Sequence, residues 1–314
     1  MRVFIELPTW LGDSVMASAA VENIAANFAD IKLTFFGSFA ACELFKAHPK
    51  CETAIIDESK RAKFRAWWLF KNARRLSKFD AAFSFRSGLA SKFLLFCLRA
   101  GRKFQFQKTA ASLHQVQKYL NFVQSSLNLS HVTQNLSLNF TPCKFDAPVL
   151  GLNPGASYGS AKRWYPEYFA QVALKFKDRF RIVIFGGSGE LEICSKIEQI
   201  LAANGVKCDN LAGKTSIKEL CEKIGGVGRS GGIFVTNDSG PIHIAAAFHV
   251  PTIALFGPTK FSETSPWQNE NARILHLNLE CMPCMKRVCP LGTHACMKGL
   301  TPNLVIKTIE EILA

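Results

Sequence analysis

The chain has 314 residues, 48% of them hydrophobic, and a formal net charge of +14. That length exceeds what one hydrophobic core usually serves, so two domains are expected, each with enough apolar residues for its own core. No apolar run approaches the roughly 20 residues that span a bilayer, and the first fifteen residues, with Glu6 and Asp13, lack a signal-peptide pattern. A cytoplasmic protein with mostly reduced cysteines is therefore expected.

Arg2 to Leu7 predicts a short strand, Pro8 to Ser14 a loop, and Val15 to Phe28 a helix that Ala17, Ala19, Ala20, Ala25 and Ala26 make close-packing. Lys32 to Phe36 and Thr53 to Ile56 read as the next strands, and strands alternating with helices argue a parallel sheet. Asp13 then falls at the carboxyl end of the first strand, where open α/β sheets place ligands. Its carboxylate suits a general base; the ordinary alternative is that Asp13 or Ser14 caps the following helix. Glu58 to Phe79 predicts a helix crowded with Lys60, Arg61, Lys63 and Arg65 and interleaved with Phe64, Trp67, Trp68 and Phe70. Phe79 to Phe85 is a strand, Arg86-Ser87-Gly88 a loop, and Leu89 to Arg99 a helix. Between Lys60 and Lys108 fourteen Lys and Arg stand against one acid, Asp80. A solvated helix face usually carries its own acids, so this segment points to an anionic partner, with nucleic acid and a phosphorylated glycolipid at a membrane surface as candidates.

Thr141 to Pro148 reads as the linker between domains at 1–145 and 149–300. Val149 to Asn153 is a strand that ends in a Gly and Ser loop carrying Ser160, Lys162 and Arg163, followed by a helix over Pro166 to Lys177. The strand Arg181 to Phe185 ends in Gly186-Gly187-Ser188-Gly189, which lacks the G-x-G-x-x-G spacing of a dinucleotide site. Helices follow at Glu190 to Asn204 and, with Ser216 as cap, Thr215 to Lys223. The stretch Gly232 to Thr259 then reads as strand, tight turn, helix, strand and loop. Ile233 to Thr236 leads into Asn237-Asp238-Ser239-Gly240, Pro241 fits the first helical position, and Thr252 to Phe256 is a buried strand turned by Gly257-Pro258-Thr259. The amino end of that short helix is a natural anion pocket, to which Ser239 and Gly240 add a hydroxyl and an unobstructed backbone. The plainer reading makes Asp238 or Ser239 a helix cap and His243 a core residue. Pro302 to Leu313 is the last helix, expected to pack back on the N-terminal domain.

Three runs occur in order: P-T-W-L-G-D at Pro8 to Asp13, N-P-G-A-S-Y-G-S-A-K-R-W at Asn153 to Trp164, and T-N-D-S-G-P-I-H-I-A-A-A at Thr236 to Ala247. With F-G-P-T at Phe256 to Thr259 and the cysteine-rich tail Cys281 to Pro302, the chain resembles the ADP-heptose:lipopolysaccharide heptosyltransferases, most closely the heptosyltransferase II branch. The resemblance implies a GT-B fold, two Rossmann-like α/β domains facing across a cleft. It implies heptose transfer from ADP-heptose, with inversion and no cofactor or required metal, to a heptose of the Kdo-lipid A-linked inner core. Asp13 matches the base and Lys162 the cation on the donor's phosphates. Asp238 matches the acid that contacts the sugar, with Ser160, Thr236, Ser239, Gly240, His243, Gly257 and Thr259 around the donor. Where some relatives place an acid on the ribose this sequence has Lys218, with Glu219 one step later as the substitute. Trp10, Gly12, Lys60, Arg61, Lys63 and Arg86 become acceptor-side residues, and the basic segment a face for the anionic inner membrane rather than for nucleic acid. A monomer, peripheral on the cytoplasmic face, is expected. The remaining alternatives are a transferase of the same fold using another nucleotide-sugar, and a nucleotide- or nucleic-acid-binding protein without chemistry.

Cys281, Cys284, Cys289 and Cys296 would supply enough thiolates for a tetrahedral zinc or an iron–sulfur centre. The spacing after the first pair is not that of a standard zinc ribbon, so reduced thiols packing a compact loop are expected.

Overall fold

The structure, a computed structural model, describes residues 1–28, 30–109 and 112–314. It divides into two compact units, Met1–Asn139 and Phe140–Ala314.

In the first unit the elements run β1 (Arg2–Glu6), α1 (Leu11–Met16), α2 (Ser18–Ala26), β2 (Lys32–Gly37), α3 (Phe39–Lys46), β3 (Cys51–Ile56), α4 (Arg65–Arg75), β4 (Phe79–Ser84), α5 (Leu89–Cys97), β5 (Ala100–Gln105) and α6 (Gln115–Leu127). The five strands are parallel in the order β3-β2-β1-β4-β5. Val3, Phe4 and Ile5 of the central strand are fully buried, as expected for a parallel sheet covered on both faces. The single helix predicted over Val15 to Phe28 is two helices that meet at Ala17, the first starting at Leu11. The predicted helix from Glu58 to Phe79 is shorter: a 3₁₀ turn at Ser59–Arg61 precedes α4, which buries only Leu69 and Ala73.

The second unit continues with β6 (Val149–Asn153), α7 (Pro166–Lys175), β7 (Arg181–Ile184), α8 (Leu191–Ala203), β8 (Cys208–Asn210), α9 (Ile217–Arg229), β9 (Ile233–Asn237), α10 (Gly240–Ala247), β10 (Thr252–Phe256), α11 (Phe261–Thr264), β11 (Ala272–His276), α12 (Ala295–Lys298) and α13 (Pro302–Leu313). Its six parallel strands lie in the order β11-β10-β9-β6-β7-β8. Each sheet thus grows outward in both directions from its first strand, the doubly wound Rossmann pattern. The fold is α/β of the GT-B class expected from the sequence.

Two boundaries differ from expectation. Residues 140–145 belong to the second unit, because Gly225 and Gly226 of α9 leave room for Pro142 and Cys143 against the helix. Cys143 N donates to Glu222 O at 2.9 Å, and the Arg229 guanidinium to Pro142 O at 2.7 Å, which fix the segment there. The last helix, α13, belongs to the second unit, where Val305 and Ile309 are fully buried in the core and the helix packs on α7 and β10.

Candidate active site

In a doubly wound sheet the crevice for ligand opens beyond the carboxyl ends of the two strands where the winding reverses. In the second unit these are β6 and β9, and two asparagines join their loops. Asn153, opposite Thr236 in the register, donates through Nδ2 to Thr236 Oγ1 and to Ser239 Oγ, both at 2.9 Å. Asn237 donates to Pro154 O at 2.7 Å and accepts from Trp164 N at 3.1 Å. Ser239 occupies the N-cap position of α10, yet its side chain makes no capping bond. Neither capping alternative therefore describes this turn: the Ser239 hydroxyl is held by Asn153, and the Asp238 carboxylate is used elsewhere.

Lys162 Nζ lies 2.5 Å from Asp238 Oδ2, and Thr259 Oγ1 donates to the same oxygen at 2.5 Å. One carboxylate thus gathers a cation from the loop after β6 and a hydroxyl from the loop after β10. An ammonium has three N–H donors, and a carboxylate oxygen occupies only one direction. The ammonium also sits 4.7 Å from the Tyr158 ring centroid. The cysteine-rich segment braces this loop: Ala161 N donates to Arg287 O at 3.0 Å, Tyr158 Oη to Met285 O at 2.7 Å, and His294 Nε2 is 2.9 Å from Ala161 O. His243 is buried on α10, and Ser160 is exposed at the start of the 3₁₀ turn that carries Lys162.

In the first unit the reversal lies between β1 and β4. Asp13 is in the first turn of α1, whose N-cap is Trp10, so neither Asp13 nor Ser14 caps that helix. Three side chains hold the loop that leads to it. Arg86 Nε donates to Leu7 O at 2.7 Å, Ser38 Oγ to Thr9 O at 2.8 Å, and Ser14 Oγ to Trp10 O at 3.0 Å. Arg86 is itself fixed by Asp57 Oδ2 at 3.0 Å and Glu6 Oε1 at 3.3 Å. Ser84 and Ser91 donate to the two oxygens of Glu6. Burial raises the Glu6 pKa against the pull of the Arg86 charge. Burial works upward on Asp57 too, but hydrogen bonds from Ser59 and Arg86 outweigh it and hold that carboxyl below its ordinary value. Across from Asp13, burial and then the Asp13 charge push the Tyr119 phenol well above its ordinary value.

Residues 67–295 match glycosyltransferase family 9 (heptosyltransferase). The lipooligosaccharide heptosyltransferase 2 of Campylobacter jejuni subsp. jejuni serotype O:2 is 46% identical over 100% of this chain and 98% of its own length. The chain belongs to glycosyltransferase family 9, the heptosyltransferases. In three dimensions the family 9 chain matches the E. coli ADP-heptose LPS heptosyltransferase II with a TM-score of 0.77 at 21% identity, covering 100% of this chain and 98% of the other. It matches a family 9 glycosyl transferase of Veillonella parvula at 0.81 and 20%, covering 99% and 97%. At these identities the structural matches carry the fold alone.

Several residues expected at the site have another use in this family 9 chain. Arg86, expected to meet the acceptor, is nearly enclosed and already faces two carboxylates, so it acts on the loop before Asp13. Glu219 Oε2 accepts from Ser216 N at 2.8 Å and from Ser216 Oγ at 2.9 Å, a capping box at the start of α9. The Ser216 N–H holds its pKa below the ordinary Glu value. A Cβ at Gly257 would stand 2.5 Å from Met297 Sδ, so a side chain there would have to displace the buried Met297. Lys60, Arg61 and Lys63 are exposed on the turn before α4, Trp10 is exposed on the Asp13 loop, and Gly12 is buried within α1. Asn153 and Asn237 carry no sequence signal of this role, because an asparagine at a strand end looks like any turn residue.

All eleven cysteines are unpaired. Cys281, Cys284, Cys289 and Cys296 line one cavity of about 20 Å³, but among the described residues no group of three side chains stands ready to hold a metal ion. The His294 backbone N–H leads several donors that lower the Cys289 pKa.

Proposed function

We propose that the chain moves L-glycero-D-manno-heptose from ADP-heptose to the heptose of a Kdo-lipid A-linked inner core, the second heptose addition, with inversion. Asp13 removes the proton of the acceptor hydroxyl, whose oxygen attacks the anomeric carbon as the bond to the diphosphate breaks. Lys162 meets the charge that grows on the departing ADP, and the uncapped amino end of α10 adds its positive dipole. These two sources of positive charge supply the stabilisation that the expectation of a metal-free reaction requires. The observation that carries the reading is the triad of Lys162, Asp238 and Thr259 at the reversal of the second sheet, in a chain of family 9. The preformed pair keeps an ammonium oriented where a diphosphate would sit at the strand ends.

The acceptor is anionic and lipid-anchored, and the first unit carries the matching chemistry. Phe64, Trp67 and Phe96 are 67%, 63% and 79% exposed among the cations of α4 and α5, a composition suited to the anionic inner face of the inner membrane. We take the protein to work there as a cytoplasmic peripheral monomer.

The test is to incubate the protein with ADP-heptose and a heptose-bearing Kdo-lipid A acceptor and to weigh the product. One added heptose is expected. Asp13→Asn should lose nearly all turnover while binding ADP as well as the parent does; transfer at the parental rate would remove Asp13 as the base. No product with this pair, but product with another nucleotide-sugar, would change the donor and keep the site.

A further inference from the structure

At the carboxyl ends of β10 and β11 lies a cavity of about 400 Å³, large enough for one small ligand and unused by the residues assigned so far except Thr259. Phe261 and His276 stack in its wall, with centroids 4.3 Å apart and planes 26° from parallel. Phe256, fully buried on β10, supports Phe261 from its edge at 6.4 Å. Phe261 keeps 37% of its surface exposed, so the ring is buttressed by His276 and still accessible to a ligand. Ser262 and Asn278 bring an exposed hydroxyl and an exposed amide to the same cavity. Thr259 forms the wall toward Lys162, because its hydroxyl donates to Asp238, the partner of Lys162.

We infer that this cavity is a pyranose subsite, in which Phe261 carries the apolar face of a sugar ring and Ser262 and Asn278 meet its hydroxyls. A rigid aromatic platform flanked by short neutral hydrogen-bonding groups suits a ring with C–H bonds on its faces and hydroxyls around its edge. Position separates a sugar from a nucleobase. The cavity is one residue, Thr259, away from the Lys162–Asp238 pair, whose ammonium the transferase reading gives to the phosphates. The sugar of a nucleoside diphosphate sugar is bonded directly to the terminal phosphate, whereas the base is removed from it by the ribose and the other phosphate. The subsite rests on that transferase reading for its orientation. The same ring chemistry is offered by the transferred sugar of the donor and by a sugar of the acceptor.

The test compares Phe261→Ala, Phe261→Tyr and the parent protein, each first shown to melt cooperatively. Calorimetry with ADP and with ADP-heptose is combined with the KM for the acceptor. Phe261→Ala should bind ADP unchanged and ADP-heptose about tenfold more weakly, with Phe261→Tyr close to the parent. A tenfold rise in acceptor KM with both donor ligands unchanged would support the subsite and assign it to the acceptor. An equal loss for ADP and ADP-heptose would mean that a base stacks there, and would overturn the proposal, as would no change in any of the three. Failure of the parent to bind ADP-heptose would count against the transferase reading. Saturation-transfer NMR with free heptose then reads the subsite directly: a signal lost in Phe261→Ala supports it, and equal signals in both proteins overturn it.

Discussion

Lys162 and Asp238 stand on the loops after β6 and β9, the two strands between which the second sheet reverses, and their side chains meet at 2.5 Å. The pair keeps an ammonium oriented in a site where its side chain is only 12% exposed. Lys162→Ala should weaken ADP binding by about 1 to 3 kcal/mol, the loss of a charge-assisted hydrogen bond. Asp238→Asn removes a negative charge from beside the phosphate position, so ADP binding should survive while sugar transfer falls. Isothermal calorimetry decides: an unchanged ADP affinity in Lys162→Ala removes the phosphate contact.

Arg86 links the acid cluster of Glu6 and Asp57 to the carbonyl of Leu7, six residues before Asp13. Breaking a buried ion pair costs about 3 to 5 kcal/mol, so Arg86→Met should lower the melting temperature strongly. Arg86→Lys keeps the charge but loses the planar fork that reaches Leu7 and both acids together. In that milder variant kcat should fall while ADP affinity stays at the parental value. A normal kcat in Arg86→Lys would show that the Asp13 loop holds its shape without this side chain.

The capping box of α9 gives a pH-dependent stability. The Glu219 pKa is lowered in the folded protein, so its contribution is present above the unfolded value and is lost as pH falls through the folded one. The melting temperatures of the parent and Glu219→Gln should therefore differ at neutral pH and converge in acid. Ser216→Ala should cost about 1 kcal/mol at neutral pH, the usual value of a lost N-cap. If ADP binding also weakens in Glu219→Gln, the residue touches nucleotide as well as capping its helix.

Gly257→Ala tests whether that glycine serves packing or ligand. Its new methyl would meet Met297 Sδ, and overpacking of this kind costs about 1 to 3 kcal/mol. Gly257→Ala should cost less in a Met297→Ala background than in the parent, because the shortened neighbour leaves room for the methyl. Full additivity of the two changes would mean that the side chains do not conflict.

The exposed aromatics of α4 and α5 predict binding to vesicles of anionic lipid. Sedimentation with such vesicles should drop steeply as salt rises, because the cations act at the surface within a Debye length of about 8 to 10 Å. Trp67→Ala should weaken binding at every salt concentration, and equal binding to neutral vesicles would remove the electrostatic part.

Strands with continuous apolar cores were legible residue by residue: Thr252 to Phe256 and Val149 to Asn153 were placed at their observed limits. The strands without a clear sequence signal, β5, β8 and β11, all lie at sheet edges. β5 reads A-G-R-K-F-Q with exposed Arg102 and Lys103, so it lacks the apolar run by which a strand is recognised. Helix α6 was also missed, because it is capped by His114, a residue type seldom used there. Lys162 and Asp238, which the structure brings together, are legible as residues of loops directly after predicted strands, in runs that resemble one family.

The sequence by itself determined the alternation of central strands with helices, the carboxyl-end loops that carry the polar residues, and membership in the heptosyltransferase family. These depend on local patterns, apolar runs and turn residues that act over a few positions. Only the tertiary structure decided which side chains are already engaged. Arg86 looks like a free charge in the sequence, yet it is enclosed between Glu6 and Asp57, whereas the use of Glu219 follows the local Ser216-x-x-Glu219 capping pattern. Glu6 and Arg86 are far apart in the chain and meet because β1 and β4 are neighbours in the sheet. Partners of that kind are chosen by strand order and burial, which no local pattern encodes.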